Sequence, residues 1–216
     1  MIFRRAFLAL GLLLGLAACG AEPVWAPDEA VARARYVPAG PPTVTLYTMI
    51  SNTSGAGGHS ALMIDGEQRL LFDPAGTWHH PQAPERNDVF FGMSPQLHDF
   101  YMDYHARETY HVVVQEVEVT PAIAAQLSQA VLSYGAVPKA QCSFSISHIL
   151  SQVPGWGHIQ RSYFPRRTME SFAEIPGVRE ERVYDDDSDN NREILARQAA
   201  VELRNQRVAE IIADGG

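Results

Sequence analysis

The chain has 216 residues, of which 46% are apolar and 19% are charged, a balance typical of a folded domain and not of a disordered chain. With 17 basic and 25 acidic residues and a formal charge of -8, it has no general attraction for nucleic acid phosphates. Its two cysteines, Cys19 and Cys142, exclude a disulfide framework and a zinc site built mainly from thiolates.

The N-terminal segment has the organisation of a secretory signal. Arg4 and Arg5 precede an apolar run over residues 7–16, which is too short to cross a bilayer as a stable helix. Small residues then end the segment directly before Cys19. We therefore predict that residues 1–18 are a cleaved signal peptide.

The sequence Leu16-Ala17-Ala18-Cys19 resembles the cleavage box of bacterial lipoproteins. The resemblance implies that Cys19 receives a diacylglycerol and anchors the protein in the cell envelope, facing the periplasm. Gly20 stands where an acidic residue would favour the inner membrane, so we prefer the outer membrane. The alternative is an ordinary cleaved signal in which Cys19 has no role. In either case Cys142 is the thiol left in the body of the chain.

Residues 19–42 contain five prolines and little apolar periodicity, a composition that predicts a flexible tether. A short helix over residues 28–35 is an alternative for part of it. No repeat or second break in composition follows, so we predict that residues 43–216 form one domain.

The first predicted elements of this domain are strands. Alternating residues predict a strand over 43–50, followed by a glycine-rich loop over 51–58. Two further strands, at 59–64 and 68–72, form a hairpin around Asp65-Gly66, which suits a tight turn. Residues 73–93 are expected to be irregular.

Helices and strands then mix without strict alternation, which predicts an α+β fold and not a doubly wound parallel sheet. Ser94-Pro95 and Thr120-Pro121 are typical helix starts. The later predictions are helices at 94–104, 120–134, 142–153, 167–175 and 190–212, and strands at 110–119 and 178–184.

Cys142 lies at the predicted start of a helix, after a segment that Pro138 keeps non-helical. Unpaired backbone N–H groups and the positive end of the helix dipole favour a thiolate there. The same N–H groups stabilise an oxyanion on a substrate carbonyl. The position therefore suits a nucleophile, although a small buried side chain on the apolar stripe of the helix is the alternative.

His59 opens a strand directly after the glycine-rich loop and shares one face with Ala61 and Met63. An imidazole held there is suited to accept a proton from Cys142. It would need a third group to fix its orientation, and Asp73 is the first carboxylate after the second strand of the hairpin. His79 and His80 lie further into the loop and are weaker candidates for the base.

The segments Gly58-His59-Ser-Ala-Leu-Met-Ile and Gln141-Cys142-Ser-Phe-Ser-Ile-Ser-His-Ile-Leu resemble the circularly permuted papain-like cysteine hydrolases. This group includes permuted NlpC-like proteins and relatives of lecithin–retinol acyltransferase. The resemblance covers residues 44–153 and implies an antiparallel sheet packed on a cysteine-bearing helix. Cys142 would be the nucleophile, His59 the general base, and Phe72 or Asp73 the third position, of which we choose Asp73. Gln141 replaces the asparagine of the acyltransferases and favours a hydrolase.

These observations predict a lipid-anchored thiol hydrolase that cleaves amide or ester bonds. Peptidoglycan peptides, or else lipids, are its expected substrates. The alternative is a non-catalytic lipoprotein that binds peptides or a partner protein with the same fold. An apolar side chain such as Phe72 against His59 would favour the alternative, and Asp73 there would favour catalysis.

No cofactor or metal site is predicted. The glycine-rich loop over residues 54–58 lacks the lysine of a phosphate-binding loop. The adjacent His79 and His80 point to opposite faces of an extended chain. The acidic run over residues 185–189 lacks the glycine and the final glutamate of a calcium loop.

Overall fold

The computed structural model describes residues 20–214. The predicted signal peptide and Cys19 lie outside the described residues. Within the part of the chain that is described, no helix combines the length and apolarity needed to cross a membrane.

One sheet of seven antiparallel strands is the centre of the fold, with the spatial order β4-β5-β3-β2-β1-β6-β7. The strands are β1 (Thr43–Ser51), β2 (Gly57–Asp65), β3 (Arg69–Phe72), β4 (Glu85–Arg86), β5 (Val89–Phe91), β6 (Tyr110–Glu118) and β7 (Arg179–Val183). The described helices are α1 (Asp28–Ala34), α2 (Pro95–His105), α3 (Pro121–Tyr134), α4 (Cys142–Leu150), α5 (Pro165–Phe172) and α6 (Asn191–Asp214). The prediction of an α+β fold is confirmed.

Two apolar cores lie on opposite faces of the sheet because alternate strand residues point to opposite sides. One core joins Leu62 of β2 to side chains of α3, α4 and α5, including Ile146. The other joins Met63 of β2 to α2 and α6 through residues such as Tyr101. Helices therefore cover both faces of the sheet, with α4 on one face and α2 on the other.

Residues 73–93 are less irregular than expected. The hairpin β4–β5 turns through Asn87-Asp88, both with positive φ, and β5 extends the sheet beside β3. The prediction was wrong here because strands of two and three residues leave no periodicity to detect. An Asn-Asp pair is nevertheless a turn signal in the sequence, because both residue types tolerate positive φ.

The segment expected to be a tether lies in part against the domain. The Asn87 N–H donates to the Val24 carbonyl at 2.9 Å, and the Ala26 N–H donates to the Glu85 carbonyl at 2.9 Å. Helix α1 follows, and its last residue, Ala34, packs on Gly92, which has φ of +76°. These long-range contacts correct the expectation of a free chain for residues 24–36.

Candidate active site

A gap at the edge of β2 holds the N-terminus of α4. Strand β3 pairs with β2 only from Leu62 to Asp65, so the first residues of β2 have no strand on that side. Helix α4 packs on β2 there, and the backbone N–H of Ser60 lies close enough to the sulfur of Cys142 to lower the pKa of the thiol. Only 7% of the Cys142 side chain and backbone surface is exposed.

The thiol of Cys142 lies in an environment that favours the thiolate. Burial would raise its pKa, but a hydrogen bond and charge attraction from His59 lower it. The backbone N–H groups of Ser60 and Ser143 lower it further, and the net result is a pKa below the ordinary value of a thiol. The structure thus places His59 of β2 against Cys142 of α4.

His59 also contacts Asp73, which follows β3. With Nε2 protonated, the imidazole donates to Asp73 Oδ1 at 2.5 Å. The hydroxyl of Tyr101 donates to the same carboxylate oxygen at 3.3 Å, and Asp73 is only 1% exposed. Because Nε2 is taken by Asp73, Nδ1 is the ring nitrogen left to exchange a proton with Cys142.

The charges of this cluster shift its pKa values in a consistent way. Burial would lower the pKa of His59, but Asp73 first and Cys142 second raise it to about 10. Burial would raise the pKa of Asp73, but His59, His105 and Tyr101 bring it below the ordinary value. These directions favour a thiolate at Cys142, an imidazolium at His59 and a carboxylate at Asp73.

A cleft of about 410 Å³ opens beside His59. His105, at the end of α2, lines it together with Tyr104, Tyr110 and Gly58. The rings of His59 and His105 are stacked, with their centroids 6.0 Å apart and their planes 11° from parallel. Burial lowers the pKa of His105 to about 4, so this second imidazole is neutral near neutral pH.

Asp88 links the two loops that carry the acid and the nucleophile. Its Oδ2 accepts a hydrogen bond from the Val137 N–H at 2.7 Å, on the approach to α4. The backbone N–H of Ala75 lies near the same carboxylate and acts to lower its pKa, and the Asp88 carbonyl accepts from the Asp73 N–H at 2.9 Å. Burial raises the pKa of Asp88 to about 6.

Neither Asp88 nor His105 was among the residues that sequence reasoning singled out. The turn signal at Asn87-Asp88 could have drawn attention to Asp88. His105 gave no comparable signal, because its proximity to His59 depends on how α2 packs on the sheet.

The remaining candidates lie elsewhere. Phe72 packs in the core, where its ring centroid lies 5.9 Å from that of Tyr134. Asp73, and not Phe72, is therefore the third group beside His59. His79 is exposed, and His80 packs on Trp78 at 6.2 Å. Lys139, three residues before Cys142, pairs with Glu22 at 3.0 Å.

No protein-family model, curated protein sequence or solved structure matches the chain.

Proposed function

We propose that this protein is a lipid-anchored thiol hydrolase of the bacterial cell envelope that cleaves an amide or ester bond. The observation that carries the proposal is the grouping of three side chains: His59 lies close enough to Cys142 to lower the pKa of the thiol, and it forms a hydrogen bond with Asp73 at 2.5 Å. A thiol at a helix start, an imidazole and a buried carboxylate in this order are the groups that nucleophilic catalysis by cysteine needs.

The arrangement also supports a circularly permuted papain-like site. His59 comes from a strand early in the chain, Asp73 from the end of the next strand, and Cys142 from a later helix packed on the same sheet. This is the order of elements that the resemblance implies.

In the first half of the reaction, the Cys142 thiolate attacks the substrate carbonyl while His59 retains the thiol proton. The oxyanion that forms lies near the unpaired N–H groups at the start of α4, including that of Cys142. The bond from carbonyl carbon to nitrogen or oxygen then breaks, and His59 donates its proton to the leaving amine or alcohol. The product is a thioester on Cys142.

In the second half, His59 takes a proton from water as the water attacks the thioester. The carbon–sulfur bond breaks, the acid leaves, and the proton on His59 restores the starting pair with the Cys142 thiolate. Asp73 holds the ring in one orientation throughout and stabilises its charged form.

The alternative of a non-catalytic binding lipoprotein makes a different prediction, because it needs no activated thiol. The contact of His59 with a carboxylate favours catalysis, since a purely structural histidine does not need a buried charged partner.

The test is labelling of Cys142 in the full chain with a thiol-reactive acylating probe at pH 6.5 in the presence of EDTA. We expect labelling at least about tenfold faster than in the urea-unfolded protein, and a similar loss of rate in His59→Ala. The matched control is His79→Ala, which removes an exposed histidine and should label like the wild type. A wild type that labels no faster than the unfolded chain would contradict the proposal.

The anchor is tested separately by cell fractionation. Cys19→Ser should move the protein out of the membrane fraction, whereas Cys142→Ser should leave it there. Membrane association that is unchanged in Cys19→Ser would refute the lipid anchor without affecting the hydrolase. Peptidoglycan peptides, followed by lipid amides and esters, are the substrates to assay first.

A further inference from the structure

Three possible donors for a metal ion meet beside the nucleophile. One nitrogen of His59, one carboxylate oxygen of Asp73 and one nitrogen of His105 lie within 4.8 Å of one another. They come from β2, from the loop after β3 and from the end of α2. Since they are far apart in sequence, no ligand spacing could reveal them, and this explains why the sequence predicts no metal site.

The groups around these donors resemble the outer shell of a metal site. Nδ1 of His105 donates to the Tyr101 carbonyl at 2.8 Å, which leaves the lone pair of Nε2 free. Ligating histidines usually donate their second N–H to a carbonyl or carboxylate in this way. The Tyr101 hydroxyl donates to Asp73 Oδ1, so the same residue orients two of the donors.

One buried oxygen atom of this cluster has no hydrogen-bond partner among the described residues. That atom is Oδ2 of Asp73. A buried carboxylate oxygen without a partner is costly in a folded protein. A cation bound between Asp73 and the two imidazoles would neutralise the charge of this incompletely satisfied carboxylate.

The donor set also indicates which ion fits. Two imidazoles and one carboxylate suit zinc, whereas calcium and magnesium prefer oxygen ligands throughout. Zinc bonds to nitrogen and oxygen are about 2.0–2.2 Å long, so small movements of the side chains would bring all three donors into range. His59 and His105 both line the cleft, which provides an entry path and an open fourth position.

We propose that His59, Asp73 and His105 form a zinc site that shares two residues with the catalytic centre. Zinc takes the place of the proton on His59 Nε2, and that proton is released to solvent. While zinc is bound, neither the His59 imidazole nor the Asp73 carboxylate can fulfil its proposed role toward Cys142. This inhibitory consequence rests on the proposed function, but the binding of zinc does not.

Calorimetric titration of the purified, EDTA-treated full chain with zinc chloride tests the site itself. We expect one ion per chain, and binding at least about tenfold weaker in His105→Phe, which keeps an aromatic ring at this position but removes the ligand. Asp73→Asn should weaken binding similarly with little change in volume. Zinc binding that is equal in both variants and the wild type would overturn the proposal.

Two further variants separate the possible explanations. Cys142→Ala should bind zinc like the wild type even though it cannot be a thiol hydrolase. His79→Ala should also bind normally, and a loss of zinc there would place the ion on the His79-His80 pair and refute the site. Cobalt binding followed by visible absorption gives a second readout: wild type should show the bands of a low-coordinate nitrogen and oxygen site, and His105→Phe should lose them.

The inhibitory consequence is measured by labelling Cys142 of the wild type with and without zinc. The labelling rate should fall by at least about tenfold when zinc saturates the site and should recover with EDTA. Zinc that binds at this site without slowing the labelling would refute the inhibition alone. A thiol that is unreactive even with EDTA would instead count against the proposed function.

Discussion

Gly76 lies directly against the carboxylate of Asp73. A Cβ atom on Gly76 would overlap the carboxylate carbon and both oxygens, with Oδ1 at 2.8 Å. The backbone N–H of Gly76 also donates to the Asp73 carbonyl at 3.1 Å. The turn after β3 therefore has room for the acid in its present position only because residue 76 has no side chain.

Gly76→Ala should accordingly displace Asp73 from His59. We expect labelling of Cys142 to slow by about tenfold or more, and the free energy of unfolding to fall by roughly 1–3 kcal/mol, as for overpacking. Urea unfolding and the labelling rate measure the two effects. Gly157→Ala is the control, since a Cβ there meets nothing within 4 Å. Equal behaviour of the two variants would show that the turn simply adjusts.

The pH dependence of alkylation reports on the charged pair of Cys142 and His59. An ordinary thiol loses reactivity tenfold per pH unit below about pH 8.5, because only the thiolate reacts. The lowered pKa of Cys142 and the raised pKa of His59 should keep iodoacetamide labelling near its plateau below pH 8.5. The measurement is made with EDTA so that no metal contributes.

Asp73→Asn tests the origin of that shift. Loss of the carboxylate removes the largest cause that raises the pKa of His59, so the midpoint of the labelling curve should move to higher pH. Asp186→Asn, at an exposed position, should leave the midpoint unchanged. A wild-type midpoint at the value of a free thiol would contradict the proposed ion pair.

The same shifts determine how stability changes with pH. The pKa of His59 is raised in the folded state, so its contribution is fully present below the unfolded value of about 6.5 and is lost as the pH rises toward 10. The lowered pKa of Asp73 gives a contribution that is present above about 3.9 and lost as the pH falls through the folded value. In EDTA, we expect His59→Ala to flatten the fall in unfolding free energy on the alkaline side.

Asp88→Ala should loosen the connection between the Asp73 loop and the approach to α4. It would leave the buried N–H group of Val137 without its acceptor, a cost of about 1–3 kcal/mol. We expect lower stability in urea together with slower labelling of Cys142. Asp99→Ala, at an exposed position on α2, is the control. Unchanged labelling in a destabilised Asp88→Ala protein would limit Asp88 to a structural role.

Ser143 and Thr168 form a buried hydroxyl pair between α4 and α5, with their oxygens 2.7 Å apart. Thr168→Val should cost about 1–3 kcal/mol, because it leaves the Ser143 hydroxyl without its partner in an apolar site. The double variant with Ser143→Ala should recover part of that loss, since both polar groups are then removed. A double-mutant cycle by urea unfolding measures the coupling, and purely additive costs would argue against it.

The sequence predicted the structure best where a residue interacts with residues close to it in the chain. Ser94 and Thr120 accept hydrogen bonds from the N–H groups of Leu97 and Ile123, both at 3.3 Å, and both caps were predicted from Ser-Pro and Thr-Pro. The hairpin of β2 and β3 followed in the same way from alternation and Asp65-Gly66.

It was least informative where a contact joins distant segments. The edge strand β4 pairs with β5 and meets residues 24–26, which no local pattern connects to it. His105 reaches His59 only because α2 packs across the sheet, and Asp88 reaches Val137 across the loop before α4. The members of the candidate triad could be proposed from the sequence because each lies at or near the end of an element, whereas the residues that support them could not.

The attachment of the N-terminal segment to β4 also limits the length of free chain between Cys19 and the domain. Residue 24 is already held to the domain through the Asn87 N–H, and Glu22 pairs with Lys139 on the approach to α4. At about 3.3–3.6 Å per extended residue, a chain lipidated at Cys19 would have less than about 20 Å of free reach. Such an enzyme would stay close to the membrane. It would act on bonds that lie near the bilayer surface and would not reach bonds far from it.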